Sequence, residues 1–405
     1  MTSDGITGTA GGTSGGTSEA GVGSSAGSSG GSSAGPGTGS SAGLGTGPSA
    51  GLGTGLSVGP GAGVCVLVAT PLEPEHAARI EAADPRVSVI YEPELLPVPR
   101  YPADHTGVPR ALSAAQLDRW SALRQQADIS FDFDWQAPAE MSRNCPRLRW
   151  VQGTSAGIGG FLERTGLART SLVFTTASGV HGTPLAEFAL LGMLYFAKGM
   201  PQLARWQQQR HWQLHAAGQV AGCRALLVGL GGVGRAVAGL LSAAGVEVIG
   251  AGRRPPAQRA ADVPGVTSRI AVSQIAQVLP DVDALILACP LTEQTRHLIS
   301  ERELRLMRPG AIVVNISRGQ VIDEDALIGA LRRQHLGGAF LDVFAAEPLP
   351  ASSPLWEMPN VVISPHSAST VAAENGLLTE LFTDNLQRWL AGRPLRNVYD
   401  RAAGY

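Results

Sequence analysis

Short apolar runs alternate with amphipathic stretches from residue 64 to residue 175. The apolar runs have the length of strands that are buried on both faces, and apolar residues recur between them at helical spacing. A Pro-rich excursion, residues 92–109, interrupts the series. The predicted strands are residues 64–68, 86–91, 127–131, 148–152 and 172–175. This alternation predicts a parallel sheet covered by helices on both faces.

A second series of the same kind follows a long apolar helix, which we predict to begin after Gly182 and to end near Met200. Pro184 lies in its first turn, where a missing N–H is tolerated, and His181 before it is assigned to a hinge. The second set of predicted strands is residues 225–228, 246–250, 283–288, 311–315, 338–342 and 361–364. The chain is therefore predicted to be an α/β protein with two doubly wound parallel sheets. We expect the final helix, residues 370–390, to return to the first domain, because it is too short to fold alone.

Composition separates residues 1–63 from the rest of the chain. This segment is nearly all Gly, Ser, Ala and Thr and cannot bury enough apolar surface to offset chain entropy, so we predict a disordered tail. It carries two acids, Asp4 and Glu19, and no base, which leaves 31 acidic and 31 basic residues in the folded part. A neutral folded part lacks the basic patch that nucleic acid or an anionic membrane would require.

Residue usage narrows the chemistry. Lys198 is the only lysine and has no phosphate-loop context, which excludes a Walker-type nucleotidase. The four cysteines form no Cys-x-x-Cys pair, so we predict buried thiols and neither a zinc cluster nor disulfides. His211 and His215 have a spacing that could bind metal, but we interpret them as a solvated helix face and predict no metal. No apolar run could cross a bilayer and the amino terminus lacks a secretory signal, so we expect a soluble cytoplasmic protein.

The strongest local signal is a G-x-G-x-x-G pattern at residues 229–234, between a predicted strand and a predicted helix. Gly229 permits a tight turn, Gly231 lets the backbone approach a pyrophosphate, and Gly234 allows the helix to pack closely. The amino terminus of the helix presents free N–H groups to the phosphates. The residues that we expect to border a dinucleotide are Gly229, Gly231, Gly232, Val233 and Gly234.

The end of the next strand distinguishes the two nicotinamide dinucleotides. The fingerprint expects an acid there for the ribose 2′-hydroxyl, but this chain has Gly252, Arg253 and Arg254. A carboxylate would repel a 2′-phosphate, whereas guanidinium groups match it with fork geometry. Glu247 has a similar spacing but stands mid-strand, where its side chain would not face the ribose. We therefore predict NADP in preference to NAD, with NAD as the alternative.

Three polar residues follow neighbouring strands of the second series. Arg318, Glu347 and His366 each come just after a predicted strand, and ligands of open parallel sheets bind beyond the carboxyl ends of strands. Arginine can bind a carboxylate bidentately, histidine can protonate a carbonyl oxygen, and glutamate can keep that histidine protonated. Together these side chains predict the reduction of a 2-keto acid.

At this point the motifs resemble the D-isomer-specific 2-hydroxyacid dehydrogenase family over residues 64–394, and within it the NADPH-preferring glyoxylate/hydroxypyruvate reductase-like members. Residues 315–323, 341–349 and 364–366 look like the segments that bear the catalytic arginine, glutamate and histidine of the family, and residues 152–157 look like its substrate-carboxylate loop. The resemblance implies substrate contacts by Ser155, Ala156 and Gly157, and cofactor contacts by Cys289, Pro290, Thr295, Ser317 and Asp342.

The same resemblance implies how the domains are arranged. A dinucleotide-binding domain, residues 182–367, is expected to be inserted into a substrate-binding domain that comprises residues 64–181 and 368–405. The family also implies a homodimer and a small 2-keto or 2-hydroxy acid as substrate. Glyoxylate, hydroxypyruvate and bulkier 2-keto acids all stay open, because no residue of the pocket loops identifies the side chain.

Two other functions are compatible with parts of the sequence. Residues 153–157 also form a G-x-S-x-G, and Ser155, Asp342 and His366 occur in the chain order of α/β-hydrolases. A serine hydrolase would leave the dinucleotide fingerprint and Arg318 without a role. A cofactor-sensing binding protein on the same fold is the second alternative, since fold does not fix function.

Overall fold

The computed structural model describes residues 63–252, 263–402 and 404. The predicted tail up to residue 62, together with Arg253 and Arg254, lies outside the described residues. Within them, two parallel sheets are covered by helices, which confirms the predicted fold class.

The first sheet consists of five short parallel strands. Its strands are β1 (Val64–Val68), β2 (Val87–Ile90), β3 (Ile129–Phe131), β4 (Trp150–Gln152) and β5 (Val173–Thr175). All neighbours are parallel, in the order β2-β1-β3-β4-β5. The helices of this region are α1 (Pro74–Glu81), α2 (Ala114–Arg124), α3 (Met141–Asn144) and α4 (Gly159–Thr165). Strands β3 and β4 are buried at every residue, including one polar residue in each, Ser130 and Gln152.

Two consecutive helices, α5 (Gly182–Ala197) and α6 (Met200–Gln208), connect the two sheets. The predicted connector helix ends as expected, because Gly199 between α5 and α6 has a left-handed φ of 67°. His211 and His215 lie beyond α6 in backbone that is not helical, so their interpretation as a helix face is wrong.

The second sheet contains the predicted fingerprint at its centre. Its strands are β6 (Arg224–Val228), β7 (Glu247–Gly252), β8 (Val266–Ala271), β9 (Ala284–Leu287), β10 (Ile312–Asn315), β11 (Gly338–Leu341) and β12 (Val361–Ile363). They are parallel, in the order β12-β11-β10-β9-β6-β7-β8. The remaining helices are α7 (Gly232–Ala243), α8 (Ile275–Val278), α9 (Glu301–Leu306), α10 (Glu324–Arg332) and α11 (Glu374–Leu390). Strand β8 was not predicted, because it is a partly exposed edge strand without a continuous apolar run.

Helix α11 returns to the first sheet, as predicted. Phe382 stacks on Trp150 with ring centroids 5.2 Å apart, and Trp389 stacks on the same indole at 5.7 Å. The Asn385 side-chain amide donates to Gln152 Oε1 over 3.2 Å, which anchors the helix at the carboxyl end of β4. Residues from near both ends of the described chain therefore share one hydrophobic core.

The chain after α11 covers the outer edge of β5. Val398 forms an antiparallel bridge with Thr175, and the Tyr399 N–H donates to the carbonyl of Phe174 over 2.8 Å. This pairing satisfies backbone groups that an edge strand would otherwise leave open to another chain. None of the described helices is both long enough and apolar enough to cross a membrane.

Candidate active site

The three predicted catalytic residues follow adjacent strands. Arg318 follows β10, Glu347 follows β11 and His366 follows β12. The register pairs Asn315 with Leu341 and Leu341 with Ile363, so the three strands end side by side. The three loops that leave these strands therefore open at one edge of the second sheet.

Glu347 and His366 form a hydrogen-bonded ion pair. The His366 ring donates from Nδ1 to Glu347 Oε2 over 2.8 Å, and Glu347 Oε1 accepts the Phe344 N–H over 2.9 Å. Burial favours a higher pKa of the Glu347 carboxyl, but these hydrogen bonds, together with the charges of His366 and Arg318, hold that pKa below its ordinary value. Because Nδ1 is occupied by a carboxylate, Nε2 is the ring nitrogen left for proton transfer.

A buried aspartate shapes the turn that carries His366. Asp342 Oδ1 accepts the Ser364 hydroxyl over 2.6 Å and the N–H groups of Ser367 and Ala368 over 2.9 Å each. The His366 N–H donates to the Asp342 carbonyl over 2.9 Å, and His366 itself has a positive φ of 53°. A left-handed histidine is strained, and the Asp342 hydrogen bonds offset that strain. Asp342 thus has a positioning role besides the predicted cofactor contact.

Arg318 connects the second sheet to the first. Its side chain is half-buried, and Nη1 donates to the Ser317 carbonyl over 2.6 Å. Burial lowers the pKa of Arg318, while the carboxylates of Glu347 and Asp342 act to raise it, and a guanidinium stays charged in any case. The guanidinium lies directly against Gly157, where a Cβ would have its carbon Cζ at 3.2 Å. Arg318 and the substrate-carboxylate loop are therefore in contact, as the predicted site requires.

The substrate-carboxylate loop leaves β4 in a defined conformation. The Gly153 N–H donates to the Thr175 carbonyl over 2.8 Å, and the Thr154 hydroxyl donates to Asp132 Oδ2 over 3.0 Å. Ser155 is exposed and its Oγ accepts the Gly157 N–H over 3.3 Å. Ala156, which follows it, is half-buried, and Gly157 is exposed.

No serine triad is assembled from the described residues. A triad would need the histidine ring to bridge Ser155 and Asp342, but the His366 ring donates to Glu347. Asp342 instead accepts hydrogen bonds from the turn after β12. The hydrolase alternative has no geometric support.

The fingerprint glycines fit a dinucleotide. Gly231 is the N-cap of α7 with no side chain capping the helix, and a Cβ on it would meet nothing within 4 Å. The first N–H groups of α7 are therefore open to an anion. Gly229 has a φ of 103°, and a Cβ there would lie 2.6 Å from the Ala288 carbonyl. A Cβ on Gly234 would overlap the Gly229 carbonyl, so the tight turn needs both glycines.

The other predicted cofactor residues have structural partners of their own. Cys289 is buried, and burial raises the pKa of its thiol to about 11. Thr295 Oγ1 donates to the Pro290 carbonyl over 2.7 Å and so closes the loop after β9. The Ser317 hydroxyl donates to Asn315 Oδ1 over 2.6 Å. These side chains fix the backbone that faces the fingerprint crevice.

Two features were missed in the sequence. Arg269 on β8 places its guanidinium Nη2 3.8 Å from where a Cβ of Gly252 would stand, at the strand end discussed for the ribose. Glu374 lies between His105 and His181 in the interior. Arg269 was missed because strand β8 was not predicted. The cluster around Glu374 was missed because its three residues are far apart in sequence.

Comparisons with known proteins agree with this geometry. Residues 190–368 match the family model described as D-isomer specific 2-hydroxyacid dehydrogenase, NAD binding domain. The chain is 32% identical over 260 residues to (S)-sulfolactate dehydrogenase of Chromohalobacter salexigens. The aligned region covers 63% of this chain and 81% of that protein. It is 29% identical over 305 residues to glyoxylate/hydroxypyruvate reductase A of Serratia proteamaculans, covering 74% of this chain and 95% of the reductase.

A solved structure gives the same result for the fold. The D-isomer specific 2-hydroxyacid dehydrogenase of Xanthobacter autotrophicus Py2, in complex with NADPH and MES, superposes with a TM-score of 0.68 at 28% identity. The match covers 85% of this chain and 100% of that one.

Proposed function

The chain belongs to the D-isomer specific 2-hydroxyacid dehydrogenase family, and from this we propose that it is an NAD(P)-dependent oxidoreductase acting on a 2-keto acid/D-2-hydroxy acid pair. The observation that carries the proposal is the contact of the Arg318 guanidinium with Gly157, next to the Glu347–His366 pair. One site thus combines a cation for a carboxylate with an acid for a carbonyl oxygen.

Each residue has a separate role in the proposed reaction. Arg318 binds the substrate carboxylate together with the loop at Ser155, Ala156 and Gly157. His366 donates the proton that the carbonyl oxygen takes up, and Glu347 keeps that imidazole oriented and charged. When bound, the reduced nicotinamide dinucleotide supplies a hydride to the keto carbon. In the oxidative direction, His366 accepts the hydroxyl proton.

We propose NADPH as the preferred reductant. Support comes from Arg253 and Arg254 in the sequence and from Arg269, whose guanidinium lies near Gly252 at the end of β7. Guanidinium groups at this position would pair with a 2′-phosphate. The test is binding of NADPH and NADH to the protein alone, by fluorescence titration, in the wild type and in Arg269→Gln. We expect the variant to weaken NADPH binding about tenfold and NADH binding hardly at all. Equal affinity of the wild type for both nucleotides would contradict the preference.

Turnover is tested with a panel of 2-keto acids, including glyoxylate and hydroxypyruvate, against NADPH and NADH. A Gly231→Ala variant tests the nucleotide site, because its methyl group would fill the opening at the start of α7. Gly239→Ala is the matched control, since it lies in the same helix and also has nothing within 4 Å of its Cβ. We expect only the first variant to weaken nucleotide binding. A panel without any consumption of NADPH or NADH would overturn the proposed function.

A sensor on the same fold is distinguished by separating binding from turnover. If the chain only senses nucleotide, it should show no turnover, and His366→Ala should leave NADPH binding unchanged. If it is a reductase, His366→Ala should abolish most turnover and retain NADPH binding. The complete Arg318, Glu347 and His366 set favours the reductase.

We also propose a homodimer, a cytoplasmic location and the predicted domain boundaries, residues 64–181 with 368–405 and residues 182–367. Trp212 and Leu214, after α6, are 92% and 87% exposed, which is unusual for large apolar side chains unless a partner covers them. The four cysteines are free thiols, as expected in a reducing compartment. Light scattering of the wild type and of Trp212→Ser with Leu214→Ser tests the dimer, which the double substitution should dissociate.

A further inference from the structure

A buried carboxylate lies between two histidines in the first domain, outside the set of residues already discussed for catalysis. Glu374 Oε1 accepts the His181 ring at Nε2 over 3.1 Å, and His105 Nε2 lies 3.4 Å from the same oxygen. The exposed fractions of the three side chains are 6%, 11% and 13% for Glu374, His181 and His105. Buried charged groups of this kind are retained only with compensating partners, and here the carboxylate and its two partners come from three separate segments.

The three segments include both crossings of the chain between the two sheets. His181 is the N-cap of α5, at the chain crossing from the first sheet to the second, and Glu374 is the first residue of α11, after the return crossing. His105 belongs to the Pro-rich excursion after β2. Glu374 therefore ties both crossings and one loop to a single oxygen atom.

On one side, this cluster adjoins the fingerprint. The segment that leads to His181 packs on the start of α7: a Cβ on Gly232 would lie 3.2 Å from Ser178 Oγ, and one on Gly182 would lie 3.2 Å from the Ala236 Cβ. A shift of the segment at His181 would therefore displace the fingerprint turn at the start of α7.

On the other side, the cluster adjoins the substrate-carboxylate loop. The hydroxyl of Thr70, just after β1, donates to the His105 carbonyl over 2.9 Å. The Ala177 N–H, in the segment that leads to His181, donates to the Ser155 carbonyl over 3.1 Å. Burial raises the pKa of Asp132, just after β3, and the charge of His105 counteracts that rise. Asp132 in turn accepts the Thr154 hydroxyl over 3.0 Å, one residue before Ser155. The segment at His181 is thus hydrogen-bonded to the loop whose glycine touches Arg318.

We propose that Glu374 is a positioning residue for the reductase reaction, which holds His105 and His181 so that the substrate-carboxylate loop keeps a fixed place relative to Arg318. The inference rests on the proposed function. It predicts an effect on substrate binding, because Glu374 contacts none of the three catalytic side chains in the described structure. An interaction lost equally from the ground state and the transition state raises KM and leaves kcat unchanged.

The test compares Glu374→Gln and His105→Gln with the wild type. Each single variant should raise KM for the best 2-keto acid about tenfold, with kcat and the NADPH dissociation constant within about twofold of wild type. Because both changes break one linkage, the double variant should show no further rise in KM. Glu380→Gln is the matched control, an exposed residue of the same helix that pairs with Arg79. An unchanged KM in the two variants, or effects that multiply in the double variant, would overturn the proposal.

Hydrogen exchange of the protein alone gives a readout that does not depend on activity. In Glu374→Gln, residues 93–109 and residues 177–185 should both exchange severalfold faster, and Glu380→Gln should match the wild type. Faster exchange in one segment alone would contradict a shared linkage. If the wild type reduces no 2-keto acid, the proposed function fails while the exchange result still decides whether Glu374 couples the two segments.

Discussion

The two sheets have the same parallel architecture, yet their carboxyl edges differ in how polar groups are used. At the edge of the second sheet, Arg318, Glu347 and His366 each follow a strand. A hydrogen bond joins His366 to Glu347, and the charge of Glu347 acts on Arg318. At the edge of the first sheet, Glu374 and its histidines are brought together from three distant segments and are more deeply buried. This contrast is what we expect if, as proposed, the second sheet supplies the reactive groups and the first sheet positions the substrate-carboxylate loop.

The difference also appears in the exposure of the charged pairs. His366 and Glu347 have side chains that are 43% and 36% exposed, as a group that exchanges protons with substrate must be reachable. Glu374 is 6% exposed and cannot serve that purpose. If the two edges had the same role, the substitutions described next would have similar effects at both.

The largest effect is expected at Arg318. Arg318→Gln should lower kcat/KM for the 2-keto acid by roughly a thousandfold, because it removes a charge-assisted donor from a half-buried site. Arg332→Gln, at the exposed end of α10, is the control in the same steady-state assay. A loss smaller than about tenfold would mean that the carboxylate binds elsewhere.

A smaller effect is expected when the partner of the catalytic histidine loses its charge. Glu347→Gln should lower kcat about a hundredfold. Because its pKa lies below the ordinary value, the Glu347 carboxylate is charged at neutral pH and stabilises a protonated imidazole at His366. Without this charge, the variant should lose its proton donor at a lower pH. The basic limb of the kcat–pH profile should therefore move to lower pH. Glu357→Gln, at an exposed position, is the control and should leave the profile unchanged. A basic limb at the same pH in Glu347→Gln and the wild type would show that Glu347 does not influence the proton donor.

At the first sheet, the expected effect concerns stability. Burial favours a higher pKa of Glu374, but the two histidines next to it, His105 and His181, lower that pKa to about 2. The stabilisation is therefore complete above the pKa of an unfolded glutamate and is lost as pH falls towards 2. Between pH 5 and pH 3, the wild type should lose about 1.5 kcal/mol more unfolding free energy in urea than Glu374→Gln. If the unfolding free energies of the wild type and the variant changed equally with pH, the pKa of Glu374 would be the same in the folded and the unfolded chain, which would contradict the prediction.

The smallest effect is expected where the two edges meet. Gly157→Ala places a methyl group against the Arg318 guanidinium, which can move aside because it ends a flexible side chain. KM for the 2-keto acid should rise about fivefold, with unchanged nucleotide binding. Gly160→Ala, which would meet only the Arg164 guanidinium, is the control. Equal kinetics of both variants would argue against a shared pocket of loop and arginine.

Most of the second sheet and its site could be predicted from the sequence because the signals are local. The fingerprint turn is specified by Gly229, Gly231 and Gly234 within one short stretch, and Arg318 and His366 lie directly after their strands. Strand β8 was missed because its polar, partly exposed residues lack the apolar run that marks a buried strand.

Contacts between distant segments could not be predicted. The approach of Glu374 to His105 depends on where α11 docks, and that position is set by tertiary contacts such as the packing of Phe382 and Trp389 on Trp150. The role of Asp342 was predicted only in part, because the turn geometry that lets one carboxylate oxygen accept three donors is a tertiary feature. The position of the substrate-carboxylate loop relative to Arg318 depends on such packing as well.

The return of α11 also governs the order in which this chain can fold during synthesis. The ribosome releases β1 early, but the core around it is complete only after Phe382 and Trp389 have emerged, followed by the segment at Val398 that pairs with β5. The strands of the second sheet are all available before then, and domains fold as units once their residues are present. The nucleotide-binding half should therefore fold on a nascent chain whose first strands still await their last partners.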